Sequence, residues 1–256
     1  IGDSHRLADE LLCIFGFGPE LPFARLTEAD IDLILKKLMP VYELDGHWIE
    51  TFLASASKSF PNKTLDFFIN RIERAVKETN WKYLPINHGP YVHVPLGFKE
   101  SPNYGALLAK VVGWMANSSY EDDQKVLFDY RCSELFEAVF GSFDEEVLQF
   151  IERWSETADE TSFKLIANIL NEAPHTFVFE HARLVMDLLT KAQRISPDAF
   201  RALKSGLFSS AARGIRSGTA GQPFPRDLEA KAECEKILQG LSRFSPAYEV
   251  YEALLK

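Results

Sequence analysis

The side chains best suited to chemistry in this chain are its six histidines. A metal site needs several histidine, cysteine or carboxylate ligands brought together at short spacing. Two pairs lie close in sequence, five or six residues apart: His88 with His93, and His175 with His181. On a helix, either spacing turns the two side chains toward different faces, so neither pair is placed to share an ion. The sequence therefore predicts no metal site and no cofactor.

A serine three residues before a lysine, Ser55 and Lys58, is the second pattern that could support catalysis. It matches the S-x-x-K pattern of penicillin-binding enzymes, in which the serine is the nucleophile. The S-D-N and K-T-G elements that accompany this pattern are missing, and so is G-x-S-x-G. Ser55 also falls on an ordinary amphipathic helix. We therefore expect no enzymatic activity; an all-α hydrolase would require the histidines to converge in space.

A local excess of positive charge lies between Asp198 and Arg226. The segment carries five basic residues against one acid, hence +4, in a chain whose net charge is −9. Its loop, residues 214–227, is rich in glycine, whose backbone amides suit an anion. Because no strand precedes this loop, a dinucleotide site is not expected. The alternative to an anion site is a solvated loop; the candidate anion contacts are Arg213, Arg216 and Arg226.

The stretch from residue 80 to 104 differs from the rest of the chain. Its four prolines exclude a long helix, and a loop of this length inside a compact domain is uncommon and often functional. Aromatic side chains on a rigid loop are typical anchors of protein interfaces. The candidate protein contacts are Trp81, Tyr83, His88, Tyr91, His93 and Phe98. Alternatively, the loop folds back and covers the groove between neighbouring helical pairs.

Helices must position these candidates. Apolar residues recur at helical spacing in Phe52–Ala75 and again in Leu135–Gln193. No strand-rich region alternates with them, which makes a parallel α/β sheet very unfavourable. The pattern predicts an all-α fold of about ten helices joined mainly by short corners. Thr27 with Asp30 is expected to cap one helix, and Thr176–Lys191 is expected to form a single helix.

The composition restricts the cellular setting. A net charge of −9 repels phosphate backbones overall, so nucleic-acid binding is disfavoured. No run approaches the ~18 apolar residues of a membrane helix, and the start lacks the pattern of a signal peptide. Three cysteines, far apart and odd in number, indicate buried free thiols in a reducing compartment. We expect a cytoplasmic protein without a membrane partner. Because it begins at Ile1 without methionine, we also expect a segment of a longer chain.

The helix–corner–helix unit recurs, with corners at Pro61, Asp144 and Pro174. The first two corners are 83 residues apart, about two units, and the last two are 30 apart, close to the period of about 30–47 residues in helical-hairpin repeats. Phe52–Ala75 and Leu135–Gln193 resemble divergent HEAT-like repeats. The ensemble is similar to helical C-terminal segments of large bacterial signalling ATPases of the STAND class. No G-x-x-x-x-G-K-[ST] is present, so the resemblance carries no ATPase activity.

The resemblance implies one helical-repeat domain over residues 1–256. It would be an α-solenoid of about five stacked antiparallel hairpins with a long concave surface. The expected function is non-enzymatic: a protein–protein interaction, scaffold or sensor module. Its partner would be another protein or another domain of the same longer chain, with no small-molecule substrate. The alternative is nucleic-acid, nucleotide or phosphate sensing through the basic patch of residues 201–226.

Overall fold

The computed structural model describes residues 8–13, 23–87, 94–141, 143–213 and 224–255. Every regular element in these ranges is helical, which confirms the all-α prediction. The chain divides into two compact units, Ile1–Gly141 and Ser142–Lys256. The sequence patterns did not mark this division.

The described residues of the first unit form six α-helices and two short 3-10 turns. The turns are Phe23–Arg25 and Phe98–Glu100. The helices are α1 (residues 8–13), α2 (Glu28–Leu38), α3 (His47–Ser59), α4 (Pro61–Lys77), α5 (Tyr104–Asn117) and α6 (Asp122–Phe140). Helix α4 packs against α3 and α6, and one face of it is lined with buried apolar side chains.

Seven further helices lie in the part of the second unit that the structure describes. They are α7 (Glu145–Ser155), α8 (Glu160–Asn171), α9 (Phe177–Glu180), α10 (Ala182–Ile195), α11 (Pro197–Ala212), α12 (Pro225–Gln239) and α13 (Pro246–Leu254). Its centre is the pair α8 and α11, with α10 packed against α11. None of the helices in the described ranges is long and apolar enough to cross a membrane.

Helix starts follow local capping chemistry. Thr27 and Asp30 form the predicted capping box, in which the Asp30 amide donates to Thr27 Oγ1 at 3.3 Å and the Thr27 amide donates to Asp30 Oδ2 at 2.8 Å. Pro61 occupies the first turn of α4, where its missing N–H costs nothing. Helix α3 is capped in a different way: Asp9 of α1 accepts the Trp48 amide at 2.7 Å. Because Asp9 is distant in sequence from α3, no local sequence pattern predicts this cap.

The predicted helix Thr176–Lys191 is interrupted at His181. The chain forms α9 and then α10, with His181 at φ −114° and ψ 33° between them. In a continuous helix the Val178 carbonyl would accept the Ala182 amide. Here that carbonyl accepts the Tyr251 hydroxyl at 2.5 Å. The helix thus breaks at His181 without a glycine or proline in the sequence there, and a tertiary hydrogen bond from α13 accompanies the break.

Close approach of α8 and α11 depends on Gly206. A Cβ added there would lie 2.4 Å from the Ala167 carbonyl oxygen, and the obstacle is backbone. We therefore expect Gly206→Ala to lower the free energy of unfolding of the second unit by roughly 1–3 kcal/mol, as overpacking does. Urea titration with circular dichroism measures this change.

Gly113 of α5 provides the matched control, because a Cβ there meets nothing within 4 Å. Gly113→Ala should raise helix stability by about 0.5–1 kcal/mol. Equal effects at the two glycines would contradict the close α8–α11 contact.

Candidate functional site

The most elaborately built surface feature is the corner after α4, residues 79–85. Helix α4 ends with the Asn80 amide donating to the Ala75 carbonyl at 2.8 Å and the Thr79 amide donating to the Val76 carbonyl at 3.0 Å. This is a Schellman motif with Thr79 in the left-handed position at φ 47°. Asn80 Oδ1 then accepts the amide of Lys82 at 3.1 Å. The corner is therefore fixed by its own hydrogen bonds.

Thr79 is an unfavourable residue for its backbone conformation. A β-branched side chain at positive φ costs roughly 1–2 kcal/mol, whereas glycine adopts it freely. We expect Thr79→Gly to raise the unfolding free energy of the first unit by about 1 kcal/mol. The midpoint of urea unfolding measures it. Thr51→Gly, inside α3, should lower stability; a loss at both positions would contradict the Schellman geometry.

Arg131 of α6 is buried and ties the corner to the unit's interior. Its Nη2 donates to the carbonyl oxygens of Trp81 and Tyr83 at 2.9 and 3.0 Å. Its Nη1 donates to Glu134 Oε1 at 2.7 Å, an ion pair that is itself buried. The same guanidinium lies 5.3 Å from the centroid of the Tyr130 ring. One side chain thus orients the corner backbone and an adjacent ring.

Arg71 of α4 is fully buried and joins the corner to the end of α2. Its described partners are backbone carbonyls, at distances from 2.7 to 3.2 Å: those of Leu38, Met39, Leu84 and Pro85. A cation at the carboxyl end of a helix is favoured by the helix dipole. Burial lowers the pKa of Arg71 to about 10, so the guanidinium stays charged at neutral pH.

The corner presents Trp81 beside Tyr130 on the surface. The two ring centroids are 5.9 Å apart with planes tilted by 46°, and each residue remains close to half exposed, at 47% and 49%. Val126, one helical turn before Tyr130, is 60% exposed. We call Trp81, Tyr130 and Val126 the aromatic platform. Clustered apolar exposure of this kind marks interaction surfaces more than isolated exposed residues do.

The structure separates the six candidate contacts predicted in the 80–104 stretch. Trp81 is exposed, whereas Tyr83 and Phe98 lie in the core instead. The Tyr83 ring covers the buried Arg71 guanidinium at 4.3 Å, and Phe98 packs edge-on against Phe68. Both therefore match the alternative in which the loop covers helices. His88, Tyr91 and His93 lie outside the described residues.

The flanks of that stretch are anchored on α3. Buried Glu50 accepts the Val94 amide at 3.1 Å and also the side-chain amide of Asn87. Gly97 follows, and its amide donates to Ser57 Oγ at 2.7 Å. Glu50 and Ser57 of α3 therefore accept hydrogen bonds from the two ends of the loop. These hydrogen bonds also compensate for the burial of the Glu50 carboxylate.

Two of the predicted anion contacts, Arg213 and Arg226, instead form hydrogen bonds within the second unit. Arg213 Nη2 donates to the Asn171 carbonyl at 2.6 Å and to Glu172 at 2.7 Å. Arg226 Nη2 donates to the Ala211 carbonyl at 3.1 Å. Both side chains thus satisfy carbonyls at helix carboxyl ends.

Other charges of the basic segment are also balanced. Arg201 pairs with Asp198 at 2.9 Å and Lys204 pairs with Glu249 at 2.5 Å. Arg216 lies outside the described residues. The excess of positive charge read from the sequence is therefore matched in part by acids on other helices.

The candidates for catalysis are not assembled in the described part of the chain. Ser55 Oγ donates to the Thr51 carbonyl at 3.0 Å, and Lys58 forms an ion pair with Glu100. No group of three histidine, cysteine, aspartate or glutamate side chains in the described ranges could hold a metal ion. His47 packs edge-on against Trp48 in the first unit.

Sequence reasoning missed the residues that build the platform. Tyr130 and Val126 look like ordinary positions of α6. Arg71 and Arg131, by contrast, could have been recognised from the sequence, because each interrupts a row of apolar residues at helical spacing. Arg71 lies between Phe68 and Ile72, and Arg131 lies one turn from Leu127 and Leu135. A charged side chain in such a row is seldom buried unless it is paired, so it indicates a buried polar network.

Comparison with known proteins identifies no relative: the chain matches no protein-family model, no curated protein and no solved structure.

Proposed function

We propose that this protein is a non-enzymatic protein-recognition module and that the aromatic platform is its contact site. The observation that carries the proposal is the half-exposed Trp81–Tyr130 pair, held from below by the buried Arg131. Tryptophan, tyrosine and arginine are the residues most enriched among interface hot spots. In this protein Trp81 and Tyr130 are exposed, and the buried Arg131 holds them in place.

Rigidity matters because binding costs conformational entropy. Each flexible side chain immobilised at an interface costs about 0.5–1.5 kcal/mol. Trp81 belongs to a corner held by Asn80 and Arg131, and Tyr130 lies on a regular helix. The platform would therefore bind with little ordering, which is the advantage of a preorganised surface.

The wider class remains part of the proposal. We propose a HEAT-like module of the α-solenoid type, whose partner is another protein or another domain of a longer cytoplasmic chain. Support comes from the all-α fold and from hairpins such as α3–α4, joined at Pro61. Sensing of nucleic acid or phosphate at residues 201–226 is less favoured, because Arg213 and Arg226 already hold carbonyls.

Photo-crosslinking tests the contact site in native lysate. A benzophenone amino acid at Val126 would lie on the platform, and the same group at Leu33, which is also well exposed in the first unit, serves as the control. The expected result is one specific cross-linked protein from position 126 and not from position 33. It should disappear when Trp81 and Tyr130 are both replaced by alanine.

Two outcomes would contradict the proposal. One is the same set of products from both positions. The other is a specific product at position 126 that survives loss of both rings. Circular dichroism of the double variant shows whether the fold is retained; both rings are half exposed, so we expect it to be.

A further inference from the structure

The charges around the aromatic platform are distributed unequally. Lys77, just before the corner, and Lys82, within it, are both exposed, and no ion pair involves either of them in the described chain. Their neighbours Arg74 and Glu78 are different, because they pair with each other at 3.0 Å. The Trp81 end of the platform thus carries two exposed cations that form no ion pair among the described residues.

The Val126 end carries the opposite charge. Asp122 and Asp123 begin α6, and helical geometry places them one turn before Val126. Lys125, by contrast, is neutralised by Asp129 at 2.9 Å. The platform therefore runs from a cationic corner to an anionic helix start.

We propose that the occupant of the platform is a segment of another protein with an apolar or aromatic anchor and carboxylates at one end only. This inference rests on the proposed function and adds the partner's chemistry. The carboxylates lie over Lys77 and Lys82, and the anchor packs on the Trp81 and Tyr130 rings. Charge complementarity of this kind sets orientation and association rate more than total affinity.

The geometry of Arg131 disfavours a cationic anchor. A lysine or arginine of the partner would be attracted to an aromatic face through its quadrupole. The Arg131 guanidinium already lies 5.3 Å from the Tyr130 ring centroid. A second cation placed on the Tyr130 ring would therefore meet like charge from Arg131.

A random-peptide phage library tests the inference on the intact chain. Selection uses wild-type protein, with counter-selection against the Trp81→Ala, Tyr130→Ala double variant, so that recovered peptides depend on the platform. The expected peptides carry aromatic or aliphatic residues beside an acidic block. Recovery of platform-dependent peptides that are basic or uncharged would overturn the inference and leave the proposed function standing. Failure to recover any platform-dependent peptide would count against both.

Charge reversal then locates the acidic end. A recovered peptide, made synthetically, is titrated against the Lys77→Glu, Lys82→Glu variant. The control is Lys36→Glu, Lys37→Glu, which makes the same change on exposed residues of α2. We expect about a tenfold weakening at the corner, larger at low salt, and less than about twofold for the control. Equal weakening in both variants would show a general charge effect and overturn the inference.

Discussion

Replacing Arg131 with methionine is expected to lower the unfolding free energy of the first unit by about 3–5 kcal/mol, the usual cost of breaking a buried ion pair. Methionine retains bulk but donates no hydrogen bond. The carbonyls of Trp81 and Tyr83 and the Glu134 carboxylate would each lose a donor in the interior. Urea unfolding, followed by tryptophan fluorescence, measures the loss.

A second substitution separates the two parts of that effect. Adding Glu134→Gln to Arg131→Met neutralises the buried carboxylate that has lost its ion pair with Arg131. We expect the double variant to recover part of the lost stability, because the loss of a buried ion pair costs most when one charged partner remains. If the double variant is as unstable as the single one, the corner carbonyls and not the ion pair dominate. If Arg131→Met alone costs nothing, the described network is not the one that holds the corner.

Arg71→Met should be comparably damaging, at roughly 3–5 kcal/mol, for a different reason. No described carboxylate is left behind, but the carbonyls of Leu84 and Pro85 lose their described donor, and each buried unsatisfied polar group costs about 1–3 kcal/mol before relaxation. The damage should extend to the end of α2, because Arg71 also donates to the carbonyls of Leu38 and Met39. Hydrogen exchange resolves it: amides of both α2 and the corner should lose protection.

The pH dependence of the Arg71→Met defect follows from the direction of its pKa shift. Burial lowers the folded-state pKa of Arg71 to about 10 from 12.5. Below about pH 9 both folded and unfolded states hold the proton, so the difference between wild type and variant should be constant. Above pH 10 the folded state releases the proton first, and wild-type stability should rise relative to the variant. Arg71→Lys should be intermediate, since an ammonium lacks the planar fork of donors.

The elements that sequence predicted well are those fixed by local chemistry. The capping box at Thr27 and Asp30 and the corner at Pro61, where α4 begins, each depend on residues within one turn. Such caps specify where a helix begins independently of what it packs against. The all-α class followed because the apolar period was helical along nearly the whole chain.

The features that sequence missed depend on contacts between distant residues. Arg131 and Trp81 are 50 residues apart, and Tyr251 reaches a carbonyl 73 residues away at the break before α10. Proline content correctly indicated that the described parts of residues 80–104 form no long helix. It did not show which aromatic residues face solvent, because burial of Tyr83 depends on Arg71 and on α2. Local propensity yields to tertiary packing at such positions.

We propose that the aromatic platform, fixed by Arg131, is where a partner binds. The most direct test is the affinity of the cross-linked partner for Trp81→Ala compared with Phe244→Ala. Phe244 is 99% exposed in the second unit, so its removal is a matched loss of an aromatic ring. We expect Trp81→Ala to cost at least about 2 kcal/mol, or ~30-fold in Kd, as hot-spot residues do, and Phe244→Ala to leave Kd unchanged. Equal affinities of the two variants, or a larger loss for Phe244→Ala, would contradict the claim.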